Sequence, residues 1–240
     1  MSDLVEGRFI LGAYWGPREE SLGTCARRLS DCLQGLSEVS PVFEGWYRKR
    51  ASNDAASREA VGRSLEQIAD LLDAGRQRKD FGGDVMAELG FNAALWNRQS
   101  GSAAAWSVTC GAFPGPGVGV SNAFVVDWPE RAPGVTVEDD LIVAKAVMRV
   151  VVQAWEPDWA TWASRAMRDL QQAPPRHPAL GLLTYFGPRR NLPQLALDVA
   201  AEPLEGGSLL VVKPTASDLP SRLLRLREAL TGTEALQATS

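Results

Sequence analysis

Apolar positions along this chain change their period several times, and each change marks an element. Residues 8–15 (Arg-Phe-Ile-Leu-Gly-Ala-Tyr-Trp) form an apolar run closed by Gly16-Pro17, which predicts a strand ended by a turn. Leu22, Ala26, Leu29, Leu33 and Leu36 then recur at helical spacing, with Arg27, Arg28 and Asp31 on other faces. A second strand is expected over Pro41–Arg48 and a polar loop over Ala51–Ser57. A helix follows over Ser57–Asp73, with Val61, Leu65, Ile68 and Leu72 inward and Gly75 as its stop. Residues 76–88 are charged and broken by glycine, and read as irregular with a helical turn at 84–88.

Three strands come next in close order, Gly90–Asn97, Ala103–Cys110 and Asn122–Trp128, and their spacing without helices favours antiparallel pairing. A long helix is predicted over Val137–Trp155, opened by Thr136 and Asp139 in the pattern of a capping box and ended by Pro157. Lys145, Arg149 and Gln153 are its one narrow polar stripe, so it lies largely in the core. Trp155, Trp159 and Trp162 recur at helical spacing, and core packing is their expected role, with a binding surface as the alternative. Further strands are expected at Leu180–Phe186, Leu195–Ala200 and Leu209–Val212, then an amphipathic helix from Asp218-Leu219-Pro220 to before Gly232. The fold class is α+β: a single domain over residues 1–232, largely antiparallel sheet, with about four helices, one long and buried. Residues 233–240 are expected to fray.

Composition narrows the function. A chain of 240 residues, 45% of them apolar, builds its core without disulfide, metal or cofactor. Charged residues at 22% and a mean hydropathy of −0.13 exclude collagen, wholesale disorder and membrane spanning. The net charge of −4 argues against a nucleic-acid binder. Residues 127–158 hold seven carboxylates against three basic groups, an excess equal to that of the whole chain. The N-terminus, with Asp3, Glu6 and Arg8, lacks an apolar signal core, and the expected compartment is the cytoplasm.

Catalytic signatures are sparse. Three cysteines make no disulfide framework, and Cys25 and Cys32 lie about 10 Å apart along one helix, too far to bridge. His177, the one histidine, removes most metal sites, and no Gly-x-Ser-x-Gly turn accompanies it. Set between prolines, it reads as exposed and inert, while Cys110 reads as a small buried apolar group. Phe113-Pro-Gly-Pro-Gly-Val-Gly119 imitates a phosphate loop but lacks its lysine and leads into a strand. Glu19-Glu20 and Glu138-Asp139-Asp140 sit at predicted helix starts, where negative charge complements the dipole.

Gly12-Ala-Tyr-Trp-Gly-Pro-Arg-Glu-Glu-Ser21, followed by Cys25 and Arg28-Leu29, resembles the immunity protein 52 family. The likeness continues at Leu89–Asn97, Trp155–Ala160 and Gly181–Phe186, and spans about residues 8–230. It implies a cytoplasmic α+β protein of a bacterial polymorphic-toxin or type VI secretion system. Its partner would be a cognate toxin with a restriction-endonuclease-like nuclease domain, which it neutralises without catalytic residues, cofactor, nucleic acid or membrane. Two other readings are a small enzyme using the acidic pairs with Tyr14 or Arg18, and an adaptor or structural subunit of the secretion machinery.

A nuclease's substrate groove is expected to be basic, so an acidic patch on its inhibitor would speed encounter. Asp127, Glu130, Glu138, Asp139 and Asp140 are therefore the candidate partner-binding residues, with Trp128 as an aromatic anchor.

Overall fold

The computed structural model describes residues 3–48, 60–99, 102–115, 122–193, 199–214 and 218–239. Among these residues its frame is one nine-stranded antiparallel sheet. The strands are β1 (Phe9–Trp15), β2 (Tyr47–Arg48), β3 (Phe91–Trp96), β4 (Ala105–Cys110) and β5 (Asn122–Asp127), then β6 (Trp159–Ser164), β7 (Leu183–Phe186), β8 (Ala200–Leu204) and β9 (Gly207–Val211). Their spatial order is β2-β3-β4-β5-β1-β6-β7-β9-β8, so the first long strand lies at the centre. Among the described residues there are five α-helices: α1 (Leu22–Val39), α2 (Leu65–Ala74), α3 (Val137–Trp155), α4 (Arg165–Gln171) and α5 (Leu219–Leu230).

Strand alternation divides β1 between two faces. Phe9, Leu11, Ala13 and Trp15 point to the layer of α1, α2 and α3, where Trp15 stacks on Trp155 at 5.3 Å and Phe124 on Trp155 at 5.8 Å. Ile10, Gly12 and Tyr14 point to the other face. There, among the described residues, α4 packs on β6 and on α5 and covers the β6 side of the sheet. Lys145 and Arg149, on the polar stripe of α3, meet Glu202 on β8, with Lys145 Nζ 2.6 Å from its carboxylate. The same stripe reaches the β8–β9 turn through Gln153, which donates to Glu205 at 2.9 Å. That turn holds positive φ at both central residues, Glu205 and Gly206, as a type I′ two-residue hairpin requires.

The structure departs from the sequence reading at several elements. Pro41–Phe43 is a 3₁₀ turn capped by Ser40, and only Tyr47–Arg48 is extended. Pro41 fixes the backbone there, and Phe43 and Trp46 drop into the core. The second helix begins at Leu65 rather than Ser57, because Ser64 and Gln67 form its capping box. Just before it, Val61 N–H is held by the Trp46 carbonyl. Helix α4 is a fifth helix beyond the expected four; seven residues, capped by Ser164, are too few to display a helical period. Trp159 and Trp162 lie on a strand, three apart and so on opposite faces, although both are buried as expected. Most of the strand expected at Leu195–Ala200, the loop at Ala51–Ser57 and residues 116–119 of the proline–glycine stretch fall outside the described residues.

The C-terminal residues expected to fray are docked instead. Glu234–Leu236 forms a 3₁₀ turn, and the Arg190 guanidinium donates to the carbonyls of Glu234, Ala235 and Gln237. Thr239 is buried; its hydroxyl accepts the Trp159 indole N–H at 2.9 Å.

Candidate partner-binding surface

The residues of the Gly12–Ser21 segment build a latch between the sheet and α3. Arg18 Nη2 donates to the Trp155 carbonyl at 2.8 Å, and Arg28 Nη1 to the Ala154 carbonyl at 2.8 Å. Both carbonyls belong to the last turn of α3, where helical partners run out and the dipole is negative. Glu20 lies between the two guanidinium groups, 2.8 Å from Arg28 Nε and 3.2 Å from Arg18 Nε, and Glu156 completes the group 2.7 Å from Arg28 Nη2. Burial alone would lower the Arg28 pKa; the hydrogen bond to Glu156, then the charges of Glu20 and Glu156, outweigh it and raise it. Glu20 is thus an ion-pair partner, and Ser21 is the N-cap of α1. Asn122, fully buried, donates to the Gly16 and Ala112 carbonyls and accepts from Ala112 N–H. An enzyme built on Tyr14 and Arg18 meets a geometric obstacle: Tyr14 faces away from the helical layer, whereas Arg18 lies over the Trp15 ring within it.

The acidic stretch is largely engaged inside the molecule. Asp139 accepts from Thr136 N and Oγ1 at 2.9 and 2.7 Å, which holds its carboxyl below the usual range. Asp140 pairs with Arg131 at 2.8 Å. Glu138 and Asp127 are half-buried and Glu130 is exposed. Trp128 is a core residue, 2% exposed, with its ring edge-on to Trp162 at 5.5 Å. It therefore offers no anchor to a partner. Ile142, one turn beyond Glu138, is 72% exposed and is the most exposed large apolar side chain near this stretch, ahead of Val135.

Among the described residues no element packs on the β3–β5 part of the other side of the sheet, a feature the sequence reading overlooked. Away from the helices, β3, β4 and β5 present Asn92 and Ala94, Ser107 and Thr109, and Ala123 and Val125, in register across the strands. The available signal was the alternation of these small or polar residues with Phe91, Leu95, Trp106, Val108, Phe124 and Val126. At the β2 edge the Arg98 guanidinium lies 5.0 Å over the Tyr47 ring. On the β6 side the open face ends at a pocket whose floor includes Tyr14, Trp159 and Ile10. Tyr14 stacks on Trp159 at 4.3 Å and folds back over Gly12, where any Cβ would strike its ring. Burial raises the Tyr14 pKa, and the nearby Arg168 charge partly opposes this.

His177 is half-buried at the same pocket rather than exposed, with Nδ1 3.1 Å from the Pro175 carbonyl. All three cysteines are free and buried. Burial pushes the Cys32 thiol up to about 12, and a hydrogen bond with Cys25, together with burial, pushes Cys110 up. Among the described residues no group of His, Cys, Asp and Glu is placed to hold a metal ion, and no helix is long and apolar enough to cross a membrane.

No curated protein matches the chain. A solved structure of the Pseudomonas aeruginosa T6SS protein PA0821 is similar in fold, with a TM-score of 0.55 at 10% identity, over 94% of this chain and 73% of that one. The family profile described as immunity protein 52 matches residues 8–217. That span takes in the latch, the central strands, α3 and the open face of the sheet, and the chain belongs to the immunity protein 52 family.

Proposed function

We propose that this chain neutralises one cognate secreted toxin by stoichiometric binding in the cytoplasm of the producing cell, and that the toxin is a nuclease of a type VI secretion or polymorphic-toxin system. The observation that carries the reading is the family match over residues 8–217. The likeness to a T6SS protein supports the setting. The latch residues fit a binding protein, because Arg18, Glu20 and Arg28 are occupied in holding α3 to the sheet. Inhibition needs a complementary surface of about 1,600 Å² rather than a reactive pocket.

The toxin-facing edge is assigned to Asp127 and Glu130, continued by Glu138, with exposed Ile142 in the anchoring role first given to Trp128. Asp139 and Asp140 act there through the field they add, since both are held by internal partners. Co-expression with the cognate toxin tests the function. Growth is expected to be restored together with recovery of a one-to-one complex. Toxicity that persists despite soluble immunity protein, or protection without a complex, would refute the reading.

A further inference from the structure

We infer that the pocket beside the open sheet face is a receptor for an acidic segment of the protein partner, with Arg165 and Arg168 as the groups that engage its carboxylates. The inference rests on the toxin-binding reading above and gives that partner a second, oppositely charged contact.

The pocket's chemistry sets the occupant. Its floor is apolar and rigid, made of the Tyr14–Trp159 stack, with Trp159 fixed by Thr239. Among the described residues Arg165, Arg168 and Arg176 line it, with Asp169 as the one carboxylate. Arg165 and Arg168, the two guanidinium groups on α4, face one carboxylate, so this site carries net positive charge in a chain whose total is −4. Asp169 takes up little of it, for its pair with Arg165 spans 3.6 Å between side chains 70% and 90% exposed. Arg168 lines the pocket together with Tyr14 and is near enough for its charge to act on the Tyr14 hydroxyl, so one cation stands close to the apolar floor. A planar fork of donors beside an apolar floor matches a carboxylate carried on a packed side chain or loop.

Position supports a macromolecular occupant. The pocket is continuous with the open face through Ile10, Tyr14 and Ala123, and the flat strip of Val125, Ser107 and Ala94 extends from it. Ile10 is also the cross-strand partner of Asp127. The cationic pocket and the acidic edge therefore adjoin, and a single protein surface of mixed charge reaches both. A nucleic-acid strand would meet Asp127 and Glu130 along the same path, an unfavourable match for a polyanion.

The test uses the full chain and its Arg165→Glu/Arg168→Glu variant, both positions being exposed and outside the core. Titration calorimetry against the cognate toxin is expected to show affinity reduced about tenfold or more, with an unchanged melting temperature. A variant that binds the toxin within twofold of the parent overturns the inference. So does an unfolded variant whose milder Arg168→Gln counterpart, folded, also binds unchanged. A parent chain that fails to bind the toxin refutes the proposed function instead. A capped hexaglutamate peptide then decides the pocket alone: amide and indole NMR shifts clustered at Trp159, Arg168 and His177 uphold it, and their absence at millimolar peptide overturns it. Equal displacement of that peptide by a DNA oligonucleotide of the same charge would also count against a carboxylate receptor.

Discussion

Replacing Asn122 separates two accounts of the loops above β1. The side chain is fully buried, and its three hydrogen bonds span 2.8–3.0 Å. Asn122→Ala would orphan the Ala112 N–H in a residue with no exposure, at a cost of about 1–3 kcal/mol. The Ala112 carbonyl would keep Arg18 N–H as a donor at 2.9 Å, and the half-buried Gly16 carbonyl can turn to water, so these add less. The sum expected is about 2–4 kcal/mol, read as a lower urea midpoint at unchanged slope.

Asn122→Asp carries the sharper test. It keeps an oxygen for Ala112 N–H but sets a second oxygen against the Gly16 and Ala112 carbonyls, where the amide had donated. At neutral pH it should destabilise at least as much as alanine, since a buried carboxylate faces two acceptors. Its folded-state pKa would then be raised, so the native state holds the extra proton and stability rises as pH falls. The Asn122→Asp variant is therefore expected to regain stability relative to the parent between neutral pH and about pH 4. An aspartate variant as stable as the parent at neutral pH, or one losing stability relative to it on acidification, would refute the hydrogen-bond assignment.

Arg28→Ala should cost about 2–3 kcal/mol by leaving Glu20, 8% exposed, with Arg18 alone, and Arg28→Lys should recover less than half of it in the same urea titration. Thr239→Val should cost about 1–2 kcal/mol by unpairing the buried Trp159 indole, and removal of residues 234–240 should cost more by freeing Arg190 from its carbonyls; thermal melts check both. The buried thiols of Cys25, Cys32 and Cys110 should react with a disulfide reagent at pH 8 no faster than the chain unfolds, whereas denaturant should release all three at once. Because the Asp139 carboxyl is held low, its capping contribution is complete above the ordinary aspartate range and lost as pH falls through the folded value. The protection of first-turn amides of α3 against exchange, relative to their intrinsic rates, should accordingly fall in acid, and Asp139→Asn, which cannot titrate, should abolish that pH dependence.

The long elements were legible because each carries a period that only one structure satisfies. Helix α3 was predicted over its observed range from Thr136, Asp139 and the stripe of Lys145, Arg149 and Gln153. What the stripe meets was not legible, since Glu202 and Glu205 arrive from a hairpin more than fifty residues away. Trp159 and Trp162 misled through their spacing: three residues apart fits a helix, yet also fits a strand buried on both faces. For the site, the charge count identified an acidic stretch but not the internal partners of Asp139 and Asp140. The pocket cations lie on α4 and the following loop, and they meet Tyr14 only after β6 has paired with β1.

That division between what carries the family likeness and what is proposed to face a partner has a physical reason. Gly12 admits the folded-back Tyr14 ring, Trp15 packs on Trp155, and Arg18, Glu20 and Arg28 secure the end of α3, so each is constrained by the rest of this fold. Ala94, Ser107, Val125 and Glu130 are tied by no such internal demand beyond strand or loop compatibility. Positions fixed by the fold can recur together in a family, whereas positions on the open face are free to follow a partner. The latch should therefore govern stability with little direct effect on toxin affinity, and the open face the reverse. An Arg28→Lys chain that stays folded at the assay temperature should bind toxin as tightly as the parent, while losing midpoint in urea. A weakening of binding in that folded variant comparable to that of Arg165→Glu/Arg168→Glu would place the partner on the latch and dissolve the distinction.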